Sequence, residues 1–350
     1  MRKSRRLPGQ GNGGPGKGHG VKERIMKKPK SKIQNSKSII SPAPSPKSPA
    51  PLLVVGAVAF DSVRTPYGEA ENILGGAATY LAVTASWFGP VRVVAVIGDD
   101  LGEEHLQVFR DRGIDTSGLV RARGKTFRWS GEYTGDMNEA RTLETQLNVF
   151  EQFSPTLPES YLDSEFAFLG NIDPVLQLHV RRQLPRARLV GLDSMNYWIK
   201  RTPEELKKTL AEVDILVINE TEARMITCIT NLKKAAEAIR KMGPGTLVIK
   251  RGEHGVTLFS EKGIFCAPAF PLDEVHDPTG AGDSFAGGFM GYLAKAGEFS
   301  DKHLRRAVVY GSVMASFAVE EFGLSRLLRL TPKEIKTRYR EFKNLTHFDV

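Results

Sequence analysis

The sequence predicts an α/β protein built on a mostly parallel sheet with helices over both faces, and a smaller β-sheet set apart from it. Three observations carry this. A continuous apolar run at 52–59 and the mainly apolar runs at 91–97 and 246–250 suit strands buried on both faces, as parallel strands are. Helical segments separate such runs, which is the alternation of βαβ units. Between 125 and 153 that rhythm breaks. There 126–133 and 142–150 read as β segments around Gly135-Asp136-Met137-Asn138, with no helix between them.

Composition bounds the reading. The chain has 350 residues, 41% of them apolar, enough for one large α/β domain with a sizeable core. No apolar run approaches 18 residues, so no membrane-spanning helix is expected. Cys228 and Cys266 are too few for a disulfide framework or a cysteine metal cluster; they fit a reducing compartment, expected to be the cytoplasm. The formal charge of +9 is unevenly spread. Residues 1–51 hold 13 Lys/Arg against one acid, Glu23, which leaves 36 bases and 39 acids for the rest. The excess lies in a basic tail rich in Gly, Pro, Ser and Lys, taken as 1–50 and expected to be disordered, ahead of a folded domain over 51–350. The tail has neither interleaved aromatics nor an apolar face, so nucleic acid and membrane are not expected partners. Met26 is an alternative start, and no apolar core follows the basic residues as a cleaved signal would need. Gly11 to Lys17 has G-x-x-x-x-G-K spacing, but Gly18 stands where Ser or Thr belongs and no strand precedes it, which excludes a P-loop.

In chain order, 52–59 predicts the first strand, and Asp61 follows at its C-terminal end, where ligands sit in open α/β sheets. Gly75-Gly76 then opens a helix through Trp87. The strand 91–97 leads through Gly98-Asp99-Asp100 into a helix over 103–112, which Gly113-Ile114-Asp115 ends. On the smaller sheet Phe127, Trp129 and Tyr133 alternate onto one face. Strands at 165–170 and 188–193 put Asn171, Asp173 and Asn196 on the functional edge. The strand 214–218 runs into Asn219-Glu220-Thr221-Glu222, a spacing that also suits a capping box. The strand 246–250 and the turn 251–255 begin a hairpin in which His254 reads as a solvated residue. Helices are expected over 284–296, 301–320 and 331–342. Ala307, Tyr310, Gly311, Met314, Ala315 and Ala318 form a small-residue stripe on the second of these.

The most telling stretch is Asp277-Pro278-Thr279-Gly280-Ala281-Gly282-Asp283, immediately ahead of a helix. Small residues there leave backbone N–H groups pointing out of the positive helix end, a ready anion site, and Gly280 and Gly282 let a phosphate approach. Asp283 would repel that anion, which makes sense if it takes a proton from an attacking hydroxyl. A Gly-rich turn capping a buried helix is the plainer alternative. Gly287, Gly288 and Gly291 in the following helix each cost roughly 0.5–1 kcal/mol against Ala, which predicts another backbone packed very close.

D-P-T-G-A-G-D-S-F closely resembles the second sequence motif of the PfkB carbohydrate kinases, the ribokinase-like family. Gly75-Gly76-Ala77-Ala78-Thr79-Tyr80 resembles the first motif, and N-x-x-E at 219–222 and K-x-G-x-x-G at 250–255 fall in family order, so the resemblance spans about 55–345. It implies a ribokinase-like three-layer α/β/α sandwich on the mostly parallel sheet. The small sheet, about 64–72 and 125–153, would serve as a lid that excludes water from the acceptor. The implied reaction moves the γ-phosphoryl group of ATP to a primary hydroxyl. Asp283 would be the base and the Gly280-Ala281-Gly282 backbone the anion hole. Asp61, Gly75, Gly76, Tyr80 and Asn171 would meet the acceptor. Asn219 and Glu222 would hold Mg²⁺ through ordered water, consistent with an ion that keeps most of its hydration. Lys250, as a mobile point charge, would attend ATP with Gly252, Gly255 and Thr279. A monovalent cation (K⁺) near Asp277 and a homodimer through the lid are further implications. Tyr80 departs from the Asn of many members, and a phenol there can bond to the acceptor, stack on its ring or simply pack. A sugar is the expected acceptor. The alternatives are a nucleoside kinase of the same fold, or a non-catalytic sugar- or nucleotide-binding protein, against which the intact Asp283 argues. A serine hydrolase on Ser284 lacks the G-x-S-x-G elbow and a local His.

Overall fold

The computed structural model describes residues 49–135 and 137–347, so nearly all of the basic tail, with Met26 and the G-K stretch, lies outside the described residues. The strands in chain order are β1 (Leu52–Val55), β2 (Ala59–Thr65), β3 (Gly68–Gly75), β4 (Val91–Ile97), β5 (Asp115–Arg121), β6 (Phe127–Tyr133), β7 (Ala140–Gln146), β8 (Phe166–Leu169), β9 (Leu189–Leu192), β10 (Ile215–Asn219), β11 (Thr246–Lys250), β12 (Val256–Ser260) and β13 (Gly263–Ala267). The helices are α1 (Ala77–Ala85), α2 (Glu103–Asp111), α3 (Pro174–Arg182), α4 (Asn196–Arg201), α5 (Pro203–Leu210), α6 (Glu220–Thr227), α7 (Leu232–Arg240), α8 (Ala281–Ala296), α9 (Asp301–Ala318), α10 (Ser325–Leu328) and α11 (Pro332–Thr346). Among the described residues nine strands form the large sheet, in the order β13-β12-β11-β10-β9-β8-β1-β4-β5. It is parallel from β11 to β5, with β12 and β13 antiparallel at one edge.

The apolar runs explain the layers. Successive residues of a strand point to opposite faces, and β1 is apolar at every position. Leu52 and Val54 enter one core with residues of α1, α8, α9 and α11; Leu53 and Val55 enter the other with α3, α5, α6 and α7. Each such side chain contributes about 1.5–3 kcal/mol when fully buried. The result is the expected three-layer sandwich.

The glycines of α8 meet the backbones their cost predicted. A Cβ at Gly287 would stand 2.5 Å from the Leu81 carbonyl oxygen, one at Gly288 2.8 Å from that of Tyr310, and one at Gly291 3.1 Å from the Ala85 Cα. So α8 is wedged between α1 and α9, and its N-terminus is held by close packing over most of its length.

Four expectations are corrected. The run 52–59 is not one strand. The chain leaves the large sheet at Gly56, where the Ala57 carbonyl accepts from the Ala78 N–H at 2.9 Å, and re-enters β structure as β2 of the small sheet. Asp61 therefore lies within a lid strand and not past the end of a core strand. β5 was missed because it is an edge strand with mostly exposed side chains and a glycine, Gly118, and so has no apolar signature. The second lid strand stops at Gln146, beyond which Asn148 turns at φ 51° and its amide donates to the Thr126 carbonyl. Finally, α8 begins at Ala281, three residues earlier than expected, which puts Asp283 inside the first turn of the helix.

The small sheet has the order β3-β2-β6-β7, with β2 and β6 parallel and the other pairs antiparallel. Among the described residues no helix is long and apolar enough to cross a membrane.

Candidate active site

The loop 277–280 is tied into shape by Asp277. Its fully buried carboxylate accepts from the Thr279 N–H at 2.9 Å and from the Gly323 N–H at 3.0 Å. Gly280 then takes the left-handed conformation, φ 72°, at the N-cap of α8. The Ala281 N–H is used within the loop, donating to the Pro278 carbonyl at 3.1 Å, and the Ser284 N–H donates to the Gly280 carbonyl at 2.8 Å. The outward donors among the described residues are therefore the N–H groups of Gly280, Gly282 and Asp283, and not that of Ala281. Three N–H groups at a helix N-terminus are what an anion needs.

Asp283 stands beside them, with one edge still open to solvent. Burial pushes its carboxyl up to about 6, against the pull of Lys250. That lysine ends β11 and reaches across to the helix: a Cβ at Gly282 would stand 2.6 Å from its Nζ. A side chain at 282 would therefore displace the flexible tip of Lys250. Asn219, one strand over, caps α6. Its side-chain oxygen accepts from the Glu222 N–H and Glu222 Oε2 accepts from the Asn219 N–H, both at 2.7 Å. The cap uses one oxygen of Glu222. Burial raises its carboxyl, again against Lys250.

A further acid was not singled out from the sequence. Asp193, just past β9, is buried, its Oδ1 has no hydrogen-bond partner, and burial together with Asp283 raises it well above the usual carboxylate range. Its position at a strand C-terminus was the available signal.

Asp61 approaches from the lid. Its Oδ2 accepts from the Gly76 N–H at 3.1 Å, and a Cβ at Gly75 would collide with the carboxylate. Gly76, at φ 86°, would bring a Cβ within 2.5 Å of the Ala57 carbonyl. The glycine pair therefore seats Asp61. Burial, reinforced by Asp283 and Asp277, lifts Asp61 to about 7. Tyr80 is 1% exposed, so it does not offer a stacking face. Its ring fills the space below Gly280, and its hydroxyl, without a partner, faces the same acids, which with burial hold it well above its ordinary range.

The lid also touches the loop directly, through the Thr279 hydroxyl donating to the Tyr133 hydroxyl at 3.4 Å. Its hairpin tip reaches the far side of the cleft, where the Thr221 hydroxyl donates to Glu139 at 3.2 Å and a Cβ at Gly252 would collide with Asn138. Gly252 thus faces the lid, while Gly255 packs against the 267–269 backbone. Asn171 donates to the Met195 sulfur at 3.1 Å and keeps an unpartnered oxygen. Asp173 is the N-cap of α3, accepting from the Val175 N–H. His254 is exposed.

The family model that matches residues 51–329 is described as pfkB family carbohydrate kinase. The chain is 33% identical over 280 residues to the cytidine kinase of Thermococcus kodakarensis, covering 78% of this chain and 97% of that protein. It is 26% identical over 303 residues to the nucleoside kinase of Methanothermobacter thermautotrophicus, covering 81% and 94%. Among solved structures it resembles the aminoimidazole riboside kinase of Salmonella enterica, with a TM-score of 0.67 at 21% identity, covering 83% of this chain and 99% of that one. It also resembles the nucleoside kinase of Methanocaldococcus jannaschii, with a TM-score of 0.66 at 20% identity, covering 83% and 98%. These structural likenesses establish the fold.

Proposed function

The chain belongs to the pfkB family of carbohydrate kinases, and from that premise we propose that its acceptor is a nucleoside, whose primary hydroxyl receives the γ-phosphoryl group of ATP. Of the two acceptors left open by the sequence, the nucleoside is favoured by the relatives named cytidine kinase and nucleoside kinase. The observation that carries the chemistry is that the half-buried Asp283 in the first turn of α8 faces the buried Asp61 on the lid closely enough for their charges to interact.

In this reading Asp61 and Asn171 receive the acceptor's hydroxyls, and Asp283 takes the proton of the primary hydroxyl as its oxygen attacks the γ-phosphorus in line and ADP departs. The N–H groups of Gly280, Gly282 and Asp283 hold the transferring group, and Lys250 supplies a point charge beside it. Such catalysis is mostly positioning and charge stabilisation. The lid, bonded to Thr279 through Tyr133, keeps water away from the phosphoryl group.

Kinases of this family use ATP and Mg²⁺. The oxygen donors here suit a hydrated ion, because no three acidic, His or Cys side chains converge among the described residues, while Glu222 retains an oxygen beyond its cap and the buried Asp193 Oδ1 lacks a partner. Glu222, Asn219 and Asp193 would hold it through water. Bound there, Mg²⁺ offsets the charge of the phosphates. The K⁺ site near Asp277 would have to share oxygens already committed to Thr279 and Gly323, and the dependence of rate on K⁺ after dialysis tests it. A homodimer through the lid would use β7, the outer edge of the small sheet, and light scattering reads it.

The deciding experiment is ATP consumption with Mg²⁺ against cytidine, uridine, adenosine, inosine, ribose and fructose. Turnover with nucleosides, lost in Asp283→Asn, is expected. Turnover with the free sugars alone would overturn the nucleoside reading.

A further inference from the structure

One face of the lid looks into the cleft. It carries Asp61, in the field of Asp283 and Asp277, and Tyr133, bonded to Thr279. Trp129 lies on this same face, as the register partner of Asp61 on β2 and of Thr145 on β7. Its indole is laid down along its own strand. The six-membered ring occupies the space that a Cβ of Gly131 would need, and Nε1 donates to the Thr142 hydroxyl at 3.2 Å. Gly131 is therefore the residue that lets the indole lie against the sheet, and Thr142 fixes its rotation. Unlike Asp61 and Tyr133, Trp129 is only partly buried.

We propose that Trp129 is the platform on which the nucleobase of the acceptor stacks, and so the residue that distinguishes a nucleoside from a free sugar. This rests on the nucleoside reading above and adds the residue responsible. An aromatic side chain held in place before binding loses little freedom when a planar ring settles on it, and base stacking on such a side chain tolerates either base class. The neighbouring Asp61 then meets the ribose while the base lies over the indole, which runs along β6 from Trp129 towards Gly131 and so carries the base away from Asp61.

Two measurements test this. The first is intrinsic fluorescence without ATP, titrating cytidine or ribose into the parent chain and into Trp129→Phe, so that the difference isolates Trp129 from Trp87 and Trp198. Quenching by cytidine, absent with ribose and absent in the variant, is expected. The second is steady-state kinetics with cytidine. Trp129→Ala should raise KM about tenfold or more while kcat falls less than about threefold, Trp129→Phe should recover most of the loss, and Gly131→Ala should raise KM with the tryptophan still present. If the parent chain turns over nucleosides but Trp129 emission is unmoved and Trp129→Ala keeps its KM, the platform is wrong and the nucleoside reading stands. If the parent chain turns over only free sugars, the nucleoside reading has failed and the platform with it.

Discussion

Tyr80 lies directly beneath Gly280. Its ring carbons fill the volume in which a Cβ at 280 would stand, and the glycine is held at φ 72° above it. The helix α1 thus sets the floor of the 277–280 loop, which joins two motifs 200 residues apart. Adding a methyl group at 280 incurs left-handed strain of roughly 1–2 kcal/mol and drives the loop off the ring. Gly280→Ala should lower both the melting temperature and kcat, and Tyr80→Ala should relieve part of the damage. A double-mutant cycle measures this, and simple additivity of the two losses would reject the contact.

Asp283→Asn should lower kcat by about 10²–10⁴-fold, the usual contribution of a positioned base, with ATP binding retained in calorimetry. A loss below tenfold would remove Asp283 from that role.

The pH profile follows from the same acids. Burial pushes Asp283 up to about 6 and Asp61 up to about 7. In the proposed reaction both act ionised, one taking the proton and the other receiving hydroxyls, so kcat/KM should climb from pH 5 to about 7.5 and level off above. In Asp61→Asn the upper component should vanish while the one near 6 stays. A profile flat across that range would contradict the assignment.

Asp61 should also cost stability. Its folded value of about 7 lies above the ordinary carboxylate value of 3.8, so the folded chain binds more protons than the unfolded chain between those limits, and stability falls as pH rises through that window. Asp61→Asn removes the penalty. Its melting temperature should exceed that of the parent at pH 8 and the gap should close towards pH 4, while acceptor KM rises at least about tenfold from lost hydrogen bonds to a charged group. Scanning calorimetry at the two pH values reads the first effect.

Gly282→Ala tests the reach of Lys250. The new methyl group would stand 2.6 Å from Nζ, and because a lysine tip is flexible the fold should survive with its ammonium displaced. KM for ATP should rise several-fold, as in Lys250→Met, and the two changes together should add little beyond either alone.

The sequence by itself determined the buried strands of the large sheet and the order of the motifs along the chain. Val91–Ile97 is apolar at every position but Arg92, and Thr246–Lys250 has an apolar centre of three residues, so burial on both faces is written locally. Asp277 to Asp283 likewise announces a helix N-terminus. The three glycines of α8 foretold close backbones, though not which ones. Only the tertiary structure decided that the run 52–59 divides at Gly56 and carries Asp61 onto the lid, that Ala281 spends its N–H on Pro278, and that Gly75, Gly252 and Gly282 make room for Asp61, Asn138 and Lys250. It also decided that the Trp129 indole rests on Gly131 and Thr142, a contact the alternation of the strand left open. The physical reason is range. Strand and helix periodicities are set by neighbours a few residues away, whereas a missing side chain, an occupied donor or a raised carboxyl is set by whatever the fold brings against it from a distant part of the chain.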